Sequence, residues 1–198
     1  MSSTPHPTDT RSRILTATLD LLSSGDGNAV RMTDIAKRAK VSRQAVYMHF
    51  NNRAELLEQA THYLDQVLDT DARLAPSRAA ATGRARLDAF VAAWADYIPE
   101  IYGPARAFLD MERHDAEAAA AWAKRMEDMR EGCEAAIRAL AADGDLAPGL
   151  NPDSATDLLW TLLTIPNWEH LTQTRGWSQD RYRRDILIAA RRLCLARP

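Results

Sequence analysis

Between Met32 and Phe50 two short amphipathic stretches flank a three-residue joint, and no other part of the chain constrains its fold as tightly. Ile35, Ala36 and Ala39 share one face of the first stretch, and the small alanines let a second helix cross it closely. Val41 plugs the joint, while Val46 and Phe50, four apart, form the inner face of the second stretch. Thr33 is expected to cap a helix running to Ala39, and Ser42 one running to Phe50. With the apolar faces turned inward, Arg43, Gln44, Ala45, Tyr47 and His49 point outward. These side chains suit a major groove: Arg43 can address guanine, Gln44 can pair with adenine, and Ala45 can touch a thymine methyl. Thr33, Ser42, Tyr47 and His49 suit phosphate contacts.

The remaining segments also read as helix. Alanine and leucine are abundant, and glycine and proline punctuate the chain at helix-length intervals. A first helix is expected over Thr10–Ser24, with Ile14, Leu15, Thr18, Leu21 and Leu22 on one face and Gly25-Asp26-Gly27 at its end. A long fourth helix is expected from about Arg53 to Arg73, before a break at Ala75-Pro76-Ser77. Beyond it, Leu87, Phe90, Val91, Trp94 and Ile98 form one apolar stripe; Trp122, Met126, Met129, Cys133, Ile137 and Leu140 form another. Asn151 is placed as an N-cap with Pro152 at the first helical position, and Pro166 should interrupt the helix that follows. The last helix should open at Ser178, with Trp177 and Tyr182 placed as a hydrophobic staple.

The stretch Arg11–Leu57 resembles the DNA-binding head of the tetracycline-repressor (TetR) family. The resemblance is carried by Ile14-Leu15-x-Ala17, Gly25, Thr33 with Ile35-Ala36, Ala39-x-Val41-Ser42, Tyr47-x-His49-Phe50 and Asn52-Arg53-x-Glu55-Leu56. It implies an all-α fold: a three-helix helix-turn-helix head in residues 1–52, then a larger helical ligand-binding and dimerisation body in residues 53–198. Three positions depart from the family pattern. Lys40 stands where glycine is usual in the turn, Gln44-Ala45 replaces a common Gly-Thr pair, and Arg53 replaces a common lysine. Lys40 and Arg53 are counted with the head's candidate DNA contacts, since each places a cation near phosphate.

The resemblance further implies a homodimer on a palindromic operator in double-stranded DNA, and repression relieved by a small-molecule inducer. Candidate interface residues are Leu158, Leu162, Leu187, Ala190, Leu193 and Cys194, with Trp168 beside them. A mostly hydrophobic inducer could be lined by Trp94, Tyr97, Ile98, Tyr102, Phe108, Met111, Trp122, Met126, Met129, Trp160, Leu163 and Trp168, and oriented by Tyr97, Tyr102, Asn167 or His170. A ligand-independent DNA-binding dimer and an activator share the same head and stay open as readings, and a small helical enzyme is the rival from another class.

Charge and composition exclude other classes. Residues 1–60 hold eight Lys/Arg against six Asp/Glu, leaving seventeen against twenty-one afterwards, so a mildly basic head precedes an acidic body. No run approaches the roughly 18 apolar residues that span a bilayer, and the polar N-terminus lacks the pattern of a secretory signal. A cytoplasmic location is expected, with no membrane partner. The five histidines are scattered, without a metal-ligand pair or a phosphate loop, so neither a cofactor, a metal nor an enzymatic role is expected. His114, beside Glu112 and Asp115, reads as a solvated helix junction. Cys133 and Cys194 read as buried, reduced thiols.

Overall fold

A computed structural model describes residues 9–24 and 30–196. The helices are α1 (Thr10–Ser23), α2 (Met32–Ala39), α3 (Arg43–His49), α4 (Arg53–Val67), α5 (Thr70–Arg78), α6 (Gly83–Met111), α7 (Ala116–Ala142), α8 (Pro152–Leu162), α9 (Ile165–Glu169) and α10 (Gln179–Cys194), with a π-helical turn at His170–Thr174. Among the described residues the only strand-like pairing is an isolated bridge between Leu146 and Leu195. The fold is therefore all-α, as expected. It divides into two compact units, residues 1–70 with 101–126 and residues 71–100 with 127–198; α6 and α7 contribute to both.

In the first unit α1 packs on α2, α3 and α4. Asp9 caps α1 by accepting the Arg11 amide at 3.2 Å, and Ile14, Leu15, Ala17, Thr18 and Leu22 form its buried face. Thr18, fully buried, satisfies its hydroxyl on the Ile14 carbonyl at 2.9 Å. The Gly25-Asp26-Gly27 stop lies outside the described residues, as do Met1–Thr8; α1 closes on Ser24, whose amide reaches the Asp20 carbonyl at 3.1 Å.

The expected fourth helix is two helices. α4 stops at Val67, Asp69 takes a left-handed backbone conformation (φ 49°), and α5 starts at Thr70. Pro76, expected to mark the break, instead sits inside α5. It lacks the amide that would bond four residues back, yet the helix runs two residues beyond it and the Ala79 amide still reaches the Ala75 carbonyl at 2.9 Å. At its start α4 is capped by Asn52, which accepts the Glu55 amide at 2.8 Å, while Glu55 reaches back to the Asn51 amide at 2.9 Å. The arrangement resembles a capping box, except that the Glu55 carboxylate accepts the amide of the residue before the N-cap rather than that of the N-cap itself.

In the second unit the stripe Leu87, Phe90, Val91, Trp94 and Ile98 is buried along α6, as are Met129, Cys133, Ile137 and Leu140 along α7. These two faces meet at glycines. A Cβ on Gly83 would come within 2.5 Å of the Leu140 backbone nitrogen, and one on Gly132 within 2.5 Å of the Phe90 ring. Asn151 caps α8 through the Ser154 amide at 2.8 Å with Pro152 in its first turn, and Ser178 caps α10 through Arg181 at 3.2 Å. Pro166 behaves as expected: α8 ends at Leu162, and α9 restarts with the proline in its first turn. In the expected staple, Tyr182 is fully buried and Trp177 is half-buried under the Arg181 guanidinium at 4.0 Å.

Candidate nucleic-acid interface

The joint between α2 and α3 sets the geometry of the head. Lys40 is left-handed (φ 55°, ψ 47°), so the position that favours glycine is occupied by a lysine. The Lys40 amide bonds the Lys37 carbonyl at 3.2 Å and the Val41 amide bonds Ala36 at 3.0 Å, the two bonds of a Schellman stop. Arg13 on α1 adds a cation to this helix end, donating to the Ala39 carbonyl at 2.6 Å and to Lys40 at 3.3 Å. A cation there opposes the partial negative charge of the α2 C-terminus.

Ser42 then caps α3 by accepting the Ala45 amide at 3.0 Å, as expected. Val46 and Phe50 are buried at 0% and 1% exposure and anchor the helix against the head. Arg11 stacks on the outer side of Phe50, its guanidinium 5.3 Å from the ring centre, and donates to Gln59 at 2.8 Å. Arg43, Gln44, Tyr47 and His49 are exposed and Ala45 is half-buried. The Arg43 guanidinium lies 5.5 Å from the Tyr47 ring centre, with a 3.4 Å bond to its hydroxyl.

Two candidates stand differently from expectation. Thr33 does not cap α2: the N-cap is Arg31, without a side-chain bond, and Thr33 is exposed within the first turn. Arg53 is turned toward protein acceptors rather than solvent, with 15% of its side chain exposed. It donates to Asp115 at 2.7 and 3.0 Å, to Glu117 at 3.0 Å and to the Val30 carbonyl at 2.6 Å. Burial acts to lower its pKa, but the bonds to Asp115 and Glu117 outweigh this and raise it. The Arg53 hydrogen bonds in turn hold the Asp115 carboxyl below the ordinary range. The guanidinium expected to face phosphate is thus bonded to protein acceptors.

Sequence reasoning passed over Met48, whose side chain is 80% exposed on α3. The signal was available, since Met48 follows Gln44 by four residues and therefore shares its face.

The proposed ligand-lining residues fall in both units. In the first, Phe108 and Trp122 stack at 5.7 Å, Met111 is buried, and Tyr102 and Met126 are half-buried. In the second, Ile98, Leu163 and Met129 are buried and Trp160 is half-buried; Trp94 and Tyr97 pack 5.9 Å apart. Several polar handles there serve the fold itself. Trp94 donates to the Leu163 carbonyl at 2.7 Å, Trp168 to Gln179 at 2.9 Å, and Asn167 to the Thr161 carbonyl at 2.6 Å. His170 is exposed. Among the described residues the Tyr182 hydroxyl is the buried side-chain polar atom with no hydrogen-bond partner, and burial raises its pKa.

Of the expected dimer face, Leu158 is exposed and Leu162, Leu187 and Leu193 are half-buried. Ala190 and Cys194, expected on that face, are instead fully buried within the chain, while neighbouring Ile188 is exposed. Both cysteines are buried and free, and burial pushes the Cys194 thiol up to about 11. His114 is exposed, consistent with a solvated junction. Among the described residues no helix is long and apolar enough to cross a membrane.

Residues 14–60 match the family model for bacterial regulatory proteins of the tetR family. No curated protein matches the sequence. Solved structures align over nearly the whole chain. NalD, the secondary repressor of the MexAB-OprM multidrug efflux pump in Pseudomonas aeruginosa, is 23% identical over 94% of this chain and 96% of its own, with a TM-score of 0.67. FadR from Bacillus subtilis, solved with stearoyl-CoA, is 13% identical over 90% and 96%, with a TM-score of 0.72. A transcriptional regulator from Rhodococcus sp. Rha1 is 19% identical over 93% and 96%, with a TM-score of 0.66. At these identities the structural likeness shows the fold alone, and the family model covers residues 14–60.

Proposed function

We propose that this chain, a tetR-family transcriptional regulator, binds a palindromic operator as a homodimer and is released from it by a mostly hydrophobic small molecule. The observation that carries the reading is α3: capped by Ser42, anchored by buried Val46, and exposing Arg43, Gln44, Tyr47 and His49 along one short helix. Such a helix fits the major groove, with Arg43 and Gln44 reading base edges and Tyr47, His49 and Lys40 meeting phosphates. A two-fold dimer carries two recognition helices about 34 Å apart, one turn of DNA, and so requires an inverted repeat. Residues 1–52 take the DNA role in this reading and residues 53–198 the rest. The dimer face draws on Leu158, Leu162, Leu187, Ile188 and Leu193.

Ligand control is supported by FadR, solved with stearoyl-CoA, and by the aromatic and sulfur side chains of the body. A ligand relieves repression only by favouring a head arrangement that does not fit successive grooves. A coupling of about 3 kcal/mol would weaken operator binding roughly 150-fold.

The test is selection of genomic fragments by the purified protein against excess nonspecific competitor. An inverted repeat is the expected product, with Gln44→Ala losing about 1–3 kcal/mol at one base position and Tyr47→Ala weakening all sites alike. No preference over competitor from folded protein would end the operator reading.

A further inference from the structure

Exposed apolar side chains are ordinary on protein surfaces, so the exposure of Met48 alone carries no weight. Its angular position does. At about 100° per residue, Gln44 and Met48 both lie roughly 160° around α3 from Val46, the fully buried residue that faces the head. Arg43 and Tyr47 occupy one flank of this crest, joined to each other. Ala45 and His49 occupy the other. Gln44 and Met48 are therefore the side chains that project farthest from the head, one helical turn or about 6 Å apart along the axis.

The two crest side chains are chemically unlike. Gln44 carries an amide with a donor and an acceptor, matched to the N6 and N7 edge of adenine. Met48 has no donor and only a weak sulfur acceptor. The base edges of the major groove present one apolar group, the C5-methyl of thymine. A flexible, unbranched thioether can pack against that methyl without fixing an exact approach.

We propose that Met48 is a specificity-determining residue that reads the C5-methyl of a thymine within one or two base pairs of the adenine read by Gln44. This rests on the operator reading above and deepens it, because it assigns an A·T-containing element to each half-site and names the atom recognised.

The experiment uses the full-length protein and the operator it selects, with each thymine replaced in turn by deoxyuridine, which removes the methyl and keeps the hydrogen-bonding edge. Wild-type protein is expected to lose about three- to fivefold in affinity at one thymine per half-site, the value of burying a single methyl group. Met48→Ala should bind the unmodified site more weakly and become indifferent to deoxyuridine at that position. Gln44→Ala should keep the deoxyuridine penalty there. Unchanged thermal melting of Met48→Ala, expected for so exposed a side chain, separates lost reading from lost folding. If the site is selected but no thymine is sensitive, or if Met48→Ala keeps the full penalty, the assignment of Met48 is overturned and the operator reading stands. If no site is selected, both fall.

Discussion

Arg53 and Asp115 are sixty-two positions apart in sequence, and their pairing decides the fate of a cation that local pattern assigns to DNA. The Asp115 carboxylate also accepts the Ala118 amide at 3.1 Å, so a single side chain opens α7 and holds α4. Because its native pKa lies below the unfolded carboxyl value near 4, the native state binds fewer protons than the unfolded state in that range. Its contribution is complete above about pH 4 and is lost as pH falls toward the depressed native value. Asp115→Asn can keep the helix cap but not the charge. Thermal melts from pH 6 to 2 should therefore show a shallower acid decline for the variant; parallel curves would mean that the pair adds nothing to stability. Met48 and Arg53 mark two limits of sequence reading. The first was overlooked although its spacing was visible, whereas the second depends on a partner from a remote helix.

Helix ends were legible where the cap is a short polar side chain within three residues of the amide it accepts. Ser42, Asn151 and Ser178 all meet that condition. The start of α2 was misread because its N-cap, Arg31, makes no side-chain bond, and the α4 stop was misread because Asp69 carries neither glycine nor proline as a marker. Lys40 is the instructive stop. A non-glycine residue in left-handed geometry costs on the order of 1 kcal/mol, and here the Schellman bonds and Arg13 surround it with compensation. Lys40→Gly should raise the urea midpoint by an amount corresponding to about 0.5–1 kcal/mol without changing the slope. A loss of stability would mean that the lysine side chain supplies more than the backbone strain removes.

Across the molecule, the helical class was readable because apolar spacing repeats in nearly every segment, and the buried stripes of α6 and α7 followed from it. The destination of individual body residues was not, since a tryptophan or asparagine at helical spacing does not reveal which carbonyl will accept its hydrogen bond. Trp94, Trp168 and Asn167 find theirs within the second unit. Ala190 and Cys194 share a helix face with the core rather than with solvent. Bonding within the head has a consequence for its response to ionic strength. Arg11 and Arg13 are held by protein acceptors, as is Arg53 just beyond the head, and Arg38 pairs with Asp20, which leaves Arg31, Lys37, Lys40 and Arg43 as the other basic residues of the head, all exposed. Each phosphate neutralised releases about 0.9 of a condensed counterion, so two heads on a duplex should give a log affinity against log salt slope no steeper than about −7. A steeper measured slope would mean that DNA recruits cations from their internal partners, and binding would then carry the cost of dismantling part of the head's own scaffold.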